Sequence, residues 1–131
     1  MAALWRWLDR RALLLLHDES LAEHGGLPGL RDEGLLDSAL ARPCNLAQYG
    51  NPDVCELAAS YCVGLAKNHP FVDGNKRAAF LALGLFLYVN GMRLNASQAE
   101  ATLAVLAAAA GDWDEATFAA WLRERVVLRP G

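Results

Sequence analysis

Lysine is nearly missing from this chain: among its 131 residues only Lys67 and Lys76 carry an ammonium, and the formal net charge is −3. Such a molecule repels phosphate backbones as a whole, which argues against direct nucleic-acid binding over a broad surface. Cysteine is also scarce. Cys44, Cys55 and Cys62 are odd in number, and a chain with 54% hydrophobic residues needs no disulfide framework. A reducing, cytoplasmic setting is the expectation. Long apolar runs are absent as well, since the longest, Ala78 to Val89, falls short of the roughly 20 residues that cross a bilayer. At the amino terminus Arg6, Arg10 and Arg11 lead into only Ala12 to Leu16, shorter than a signal-peptide core of about 7 to 15 residues. Neither a membrane partner nor a signal peptide is expected.

What is present is a globular composition. Charged residues make up 21%, with 11 glycines and 5 prolines, so disordered and collagen-like classes are excluded. A chain of this length buries roughly 65 to 70% of its unfolded surface, and a single domain over 1–131 is expected. Cys55, Cys62 and His69 are spaced by seven, which reads as one buried helical stripe and not as ligands of a metal, for which three- or four-residue spacing is needed.

Helical signals follow one another along the chain. Asp9 caps a first helix to about His24, with Leu13, Leu16 and Leu21 facing inward, and Gly25-Gly26 stops it. After the loop GGLPGLR, Asp32 opens a second helix that Pro43 is expected to end. Asn51-Pro52-Asp53 supplies a cap, a proline and an early acid for a third helix reaching Asn68, where His69-Pro70 breaks it. From Asn75 to about residue 90 the apolar pattern runs nearly all round, marking a helix packed on every side. Ser97-x-x-Glu100 and Asp112-x-x-Glu115 resemble capping boxes for a fifth helix through Ala110 and a sixth through about Val126. Only Met92 to Asn95 reads as extended. The expected fold is all-α, with about six helices around a buried central helix.

The stretch HPFVDGNKR, residues 69 to 77, concentrates the chemistry. Gly74, Asn75 and Lys76 stand where a loop enters the fourth helix, so free backbone N–H groups there attract an anion. The helix end alone contributes about 0.3 to 1 kcal/mol. Tight phosphate binding therefore needs Lys76 and Arg77, through charge-assisted hydrogen bonds of about 1.5 to 3 kcal/mol each. Asp73 beside a phosphate would repel it unless Mg2+ lies between them. His69 can accept a proton from an attacking hydroxyl, and Phe71 can anchor the loop in the core. Spacing alone leaves this site and a plain polar helix start both open. The string departs from the phosphate-binding P-loop, because Lys76 follows Asn75 and precedes Arg77.

In its order of residues, HPFVDGNKR resembles the HxFx(D/E)GNxxR signature of the Fic superfamily, and its NKR is similar to the Doc (death on curing) branch. The segment HDESLAEHGGLPGLRDEGLLDSALARP, residues 17 to 43, and the YVNGMRL stretch resemble the same branch, so the likeness runs from about Arg11 to Val126. It implies the Fic/Doc fold, with His69 as base on a target hydroxyl, Asp73 as magnesium ligand, and Gly74, Asn75, Lys76 and Arg77 around the phosphates of ATP. Fic proteins transfer AMP to a hydroxyl side chain, whereas Doc-like toxins transfer the terminal phosphate, with elongation factor Tu as the known kind of target.

Two departures favour terminal phosphoryl transfer here: Lys76 replaces a glycine of the AMP-transferring pattern, and Phe80 replaces its second arginine. Ala78 and Leu81 in turn depart from residues found in Doc-like chains, a threonine and in some a polar residue, so AMP transfer and a binding module without turnover remain the alternatives. By the same resemblance the loop residues Gly25, Gly26, Gly29 and Arg31 are candidates for docking the target. A small antitoxin with a disordered tail is the expected partner, and inhibition of translation the expected effect.

Overall fold

The computed structural model describes residues 4–130. Among them six α-helices follow one another: α1 (Arg10–His24), α2 (Glu33–Tyr49), α3 (Val54–Asn68), α4 (Asn75–Val89), α5 (Gln98–Ala110) and α6 (Glu115–Arg123). A small antiparallel pair, β1 (Met92–Leu94) and β2 (Val126–Leu128), joins the end of α4 to the carboxyl end, with Arg93 opposite Val127. The fold is all-α, as expected. None of these helices is long and apolar enough to cross a membrane.

Side-chain caps start five of the six helices. Asp9, Asp32, Asp53, Ser97 and Asp114 each accept a hydrogen bond from a backbone N–H in the first turn, which satisfies donors the helix cannot. Two caps differ from expectation. The third helix is capped by Asp53, in a reciprocal box with Glu56, and Asn51 lies outside it. The sixth is capped by Asp114, whose Oδ1 lies 2.7 Å from the Thr117 amide, and Asp112 lies upstream. In both cases the acid nearer the apolar stretch took the position.

Pro43 does not end the second helix; it lies buried inside α2. A proline there removes the hydrogen bond to the carbonyl four residues back and costs about 3 kcal/mol or more in an exposed helix. That carbonyl belongs to Ala39, whose backbone packs closely on Gly64 of α3, so core packing on both turns keeps the helix continuous. The sixth helix also stops early, at Arg123. Val126 and Val127, β-branched and poor in helices, pair with β1 instead. The Asn95 amide on the Arg125 carbonyl (2.8 Å) and the Arg129 amide on that of Gly91 (3.0 Å) extend the ladder.

The most enclosed helix is α3, with eleven of fifteen residues buried, wedged between α2, α4 and α6. Against it α4 lays one face, Ala78, Ala79, Ala82, Leu83, Phe86 and Leu87, while Lys76, Arg77, Gly84 and Tyr88 are exposed, so α4 is packed on one side and not all round. Phe86 meets Tyr61 at 5.1 Å and Trp7 at 6.1 Å between ring centroids. Cys55 and Cys62 lie in this core as free thiols, pushed up by burial to about 11 and about 12, and so are inert. His69, expected on their stripe, is exposed instead, because α3 ends one residue before it.

Candidate active site

Residue 69 ends α3 in the left-handed region, at φ 52° and ψ 53°, and among the described residues it is the only non-glycine with positive φ. The following Pro70 bars a right-handed helical conformation, and the left-handed one costs of order 1 to 2 kcal/mol. Several bonds hold it there. The His69 amide donates to Leu65 O, while Arg31 donates from Nε to His69 O (2.7 Å) and from Nη2 to Asn68 O (3.1 Å). With its backbone fixed in this way, the imidazole stands exposed and makes no hydrogen bond among the described residues.

Beyond it the loop is stitched to residues 27 to 32. Phe71, 2% exposed, forms an antiparallel bridge with Leu30; Val72 N donates to Gly29 O at 3.0 Å; and the Arg31 and Asp32 amides share the Pro70 carbonyl. Asn75 closes the loop from the helix side, accepting from Phe71 N at 2.9 Å and donating to Phe71 O at 3.0 Å. Each end of its side-chain amide thus makes one bond inside the chain, which leaves one of its two N–H donors free of the loop.

Asp73 is exposed and held at three points. Its Oδ1 accepts from Gly74 N (2.9 Å), its Oδ2 from Leu27 N (3.2 Å), and its carbonyl lies 3.0 Å from His17 Nε2. Gly74 then enters α4 at φ 73°, and a Cβ there would lie 2.9 Å from His17 Cε1, so both conformation and space demand glycine. Among the described residues no side chain caps α4. Ala78 is the first residue to bond back, to Gly74 O, leaving the Asn75, Lys76 and Arg77 amides without intrahelical acceptors.

His69, Val72, Asp73, Gly74, Asn75, Lys76 and Arg77 line one open cleft of about 280 Å³. From Lys76 and Arg77 a second cavity of about 330 Å³ runs between α4 and α5, along Phe80, Leu81, Gln98, Thr102, Val105 and Leu106. Arg10, Arg42, Arg123 and Arg125 are ion-paired, but among the described residues Lys76 and Arg77 have no carboxylate within 4.0 Å. Two uncompensated cations at an uncapped helix start make an anion cradle, with a carboxylate and an exposed imidazole on its rim.

Each sequence-predicted residue now has a place. His69, Asp73, Gly74, Asn75, Lys76 and Arg77 share the cleft and Phe71 lies beneath it. Gly25 ends α1, Gly26 lies against Asp73, Gly29 is bonded to the loop, and the Arg31 side chain pins the loop from outside. Sequence reasoning missed His17. It is 1% exposed, tilted against Phe71 with ring centroids 4.1 Å apart, and burial pulls its pKa below the ordinary histidine value despite the Asp73 carbonyl and the nearby Asp18 and Asp73 charges. Its spacing was a usable signal: Leu13, His17 and Leu21 stand four apart on the inward face of α1, while Leu16 is only half-buried.

Among the described residues no three His, Cys, Asp or Glu side chains converge to hold a metal. Asp73 would fit the other arrangement, a single carboxylate ligand to magnesium completed by oxygens from outside the chain, because each of its oxygens accepts a single N–H and keeps lone pairs free.

The family model described as the Fic/DOC family matches residues 7–87. The chain is 36% identical over 104 residues to "Protein kinase doc" of Escherichia phage P1, covering 79% of this chain and 82% of that protein. It is 47% identical over 93 residues to "Toxin Doc" of Mycolicibacterium smegmatis, covering 69% of this chain and 68% of that one. With this match spread over the loop, the cleft and most of the helices around them, the chain belongs to the Fic/DOC family, on its Doc branch.

Proposed function

We propose that this chain is a Doc-like toxin that transfers the terminal phosphate of ATP to a hydroxyl side chain of a protein target, elongation factor Tu by resemblance, and so inhibits translation in the cytoplasm. The observation that carries this reading is the shared cleft: His69, Asp73, Lys76 and Arg77 around the uncapped start of α4. The names of the two relatives, a protein kinase and a toxin, support it.

In the proposed reaction the target oxygen bonds to the terminal phosphorus, the bond from that phosphorus to the bridging oxygen breaks, and ADP leaves. His69 takes the hydroxyl proton. Lys76, Arg77 and the free amides at the α4 start hold the migrating group and offset its charge, which is the larger part of catalysis in phosphoryl transfer. Magnesium, when bound, draws charge from the phosphate oxygens, with Asp73 as its protein ligand. The cavity between α4 and α5 begins at the two cations and is walled by Phe80, Leu81 and Val105, a setting suited to the nucleoside. The Gly25 to Gly29 backbone, bordering the loop, is the proposed docking edge for the target. A small antitoxin with a disordered tail is the proposed regulator.

AMP transfer is the second reading, disfavoured by Lys76 and Phe80. The test is incubation of a cell lysate with the chain, magnesium, and ATP labelled on either the terminal or the first phosphate. Terminal label on a protein is the expected result. First-phosphate label would establish AMP transfer, and no label on any protein would leave a binding module.

A further inference from the structure

His17 is buried in α1, yet among the described residues its side chain makes no hydrogen bond within its own helix. Its Nε2 meets the Asp73 carbonyl at 3.0 Å, and a carbonyl can only accept, so Nε2 carries the hydrogen. Nδ1 has no partner among the described residues. A buried nitrogen left unpaired is costly, so a leucine, like Leu13 and Leu21 on the same face, would pack this site better. Packing alone therefore does not account for a histidine here. What the ring contacts is the loop: it lies against Phe71, bonds Asp73 and abuts Gly74.

Glycine at position 74 brings no side chain to resist rotation of the Asp73–Gly74 peptide, so hydrogen bonds must hold that peptide in place. Were that peptide to turn over, the Gly74 amide would leave Asp73 Oδ1, and the carboxylate would lose one of its two amide anchors. We propose that His17 is a positioning residue: by donating from Nε2 to the Asp73 carbonyl it locks this peptide and so fixes the aim of the Asp73 carboxylate into the cleft. The role rests on the phosphotransfer reading of the site, although the lock itself can be tested without turnover.

Three measurements judge it. In the wild-type chain, imidazole nitrogen NMR at neutral pH should show His17 with its hydrogen on Nε2; the Nδ1–H form overturns the proposal with no variant needed. His17→Phe keeps the ring against Phe71 and removes the donor, while His17→Gln restores one. Exchange of the Gly74 and Leu27 amides should quicken about tenfold in His17→Phe and return towards wild type in His17→Gln, with the amides of α3 unchanged. In terminal-phosphate transfer, His17→Phe should raise the half-saturating magnesium concentration about tenfold and lower kcat, with KM for ATP little changed. Unchanged Gly74 exchange overturns the proposal, and so does faster exchange throughout the helices, which would mark a merely structural role. If the wild-type chain transfers no phosphate, the functional reading falls separately, and the tautomer and exchange results still decide the role of His17.

Discussion

Gly74 shows how narrowly the cleft is determined at single residues. Its φ of 73° disfavours any side chain, and the space a Cβ would take is held by the His17 ring. Gly74→Ala should therefore destabilise the fold by about 1 to 3 kcal/mol, strain and clash together. Urea unfolding that shows less than about 0.5 kcal/mol of loss would mean that the loop relaxes freely. Sequence reading was most informative at this scale for residues whose chemistry faces outward, His69, Asp73, Lys76 and Arg77. It was blind to those that hold them. The bonds of Asn75 to the Phe71 backbone and of Arg31 to the His69 and Asn68 carbonyls were not among its expectations. Bonds to distant backbone leave no periodic trace in a sequence.

Helix starts were more legible than helix stops. A capping side chain acts within three residues, so Asp9, Asp32 and Ser97 could be read directly, and the two misplaced caps were off by only two residues. Ends depend on what lies across the core: Pro43 stays helical because Ala39 packs on Gly64, and Val126-Val127 leaves the helix because β1 is there to pair with it. Asp53 joins both kinds of interaction, capping α3 and accepting from Arg123 Nε of α6 at 2.8 Å. Burial pushes its carboxyl up, but the Arg123 side chain and the Glu56 and Cys55 amides together hold it below the ordinary 3.8. The folded form thus binds a proton less readily than the unfolded one. Its contribution is full above about pH 4 and is lost as pH falls through the lower folded value. Asp53→Asn keeps the cap and removes the charge. Because the pair is nearly half exposed, the loss at pH 7 should be only about 0.5 kcal/mol, shrinking towards zero near pH 2. Chemical unfolding at both pH values checks this, and an equal loss at both would contradict the ion-pair account.

At the scale of the whole molecule, the fold is a frame that carries one polar end. Enclosed α3 ends at His69, one-sided α4 begins at Gly74, α1 reaches over with His17, and the 27 to 32 segment laces the loop between them. All-α architecture and the motif's position were readable because both follow from local pattern. The hub was misassigned to α4, since a helix of apolar sequence can still leave one side to solvent, and no periodicity reports which neighbours are missing. On a chain of net charge −3, Lys76 and Arg77, with no carboxylate within 4.0 Å among the described residues, place adjacent positive charge at the frame's open end, which favours an anionic ligand there. If charge and positioning dominate the chemistry there, the cations matter as much as the base. The most direct test is the single-turnover rate of terminal-phosphate transfer from ATP by His69→Ala, Lys76→Ala and Arg77→Ala. All three should fall by comparable factors, on the order of 10² or more; Lys76→Ala and Arg77→Ala both near the wild-type rate would contradict the account.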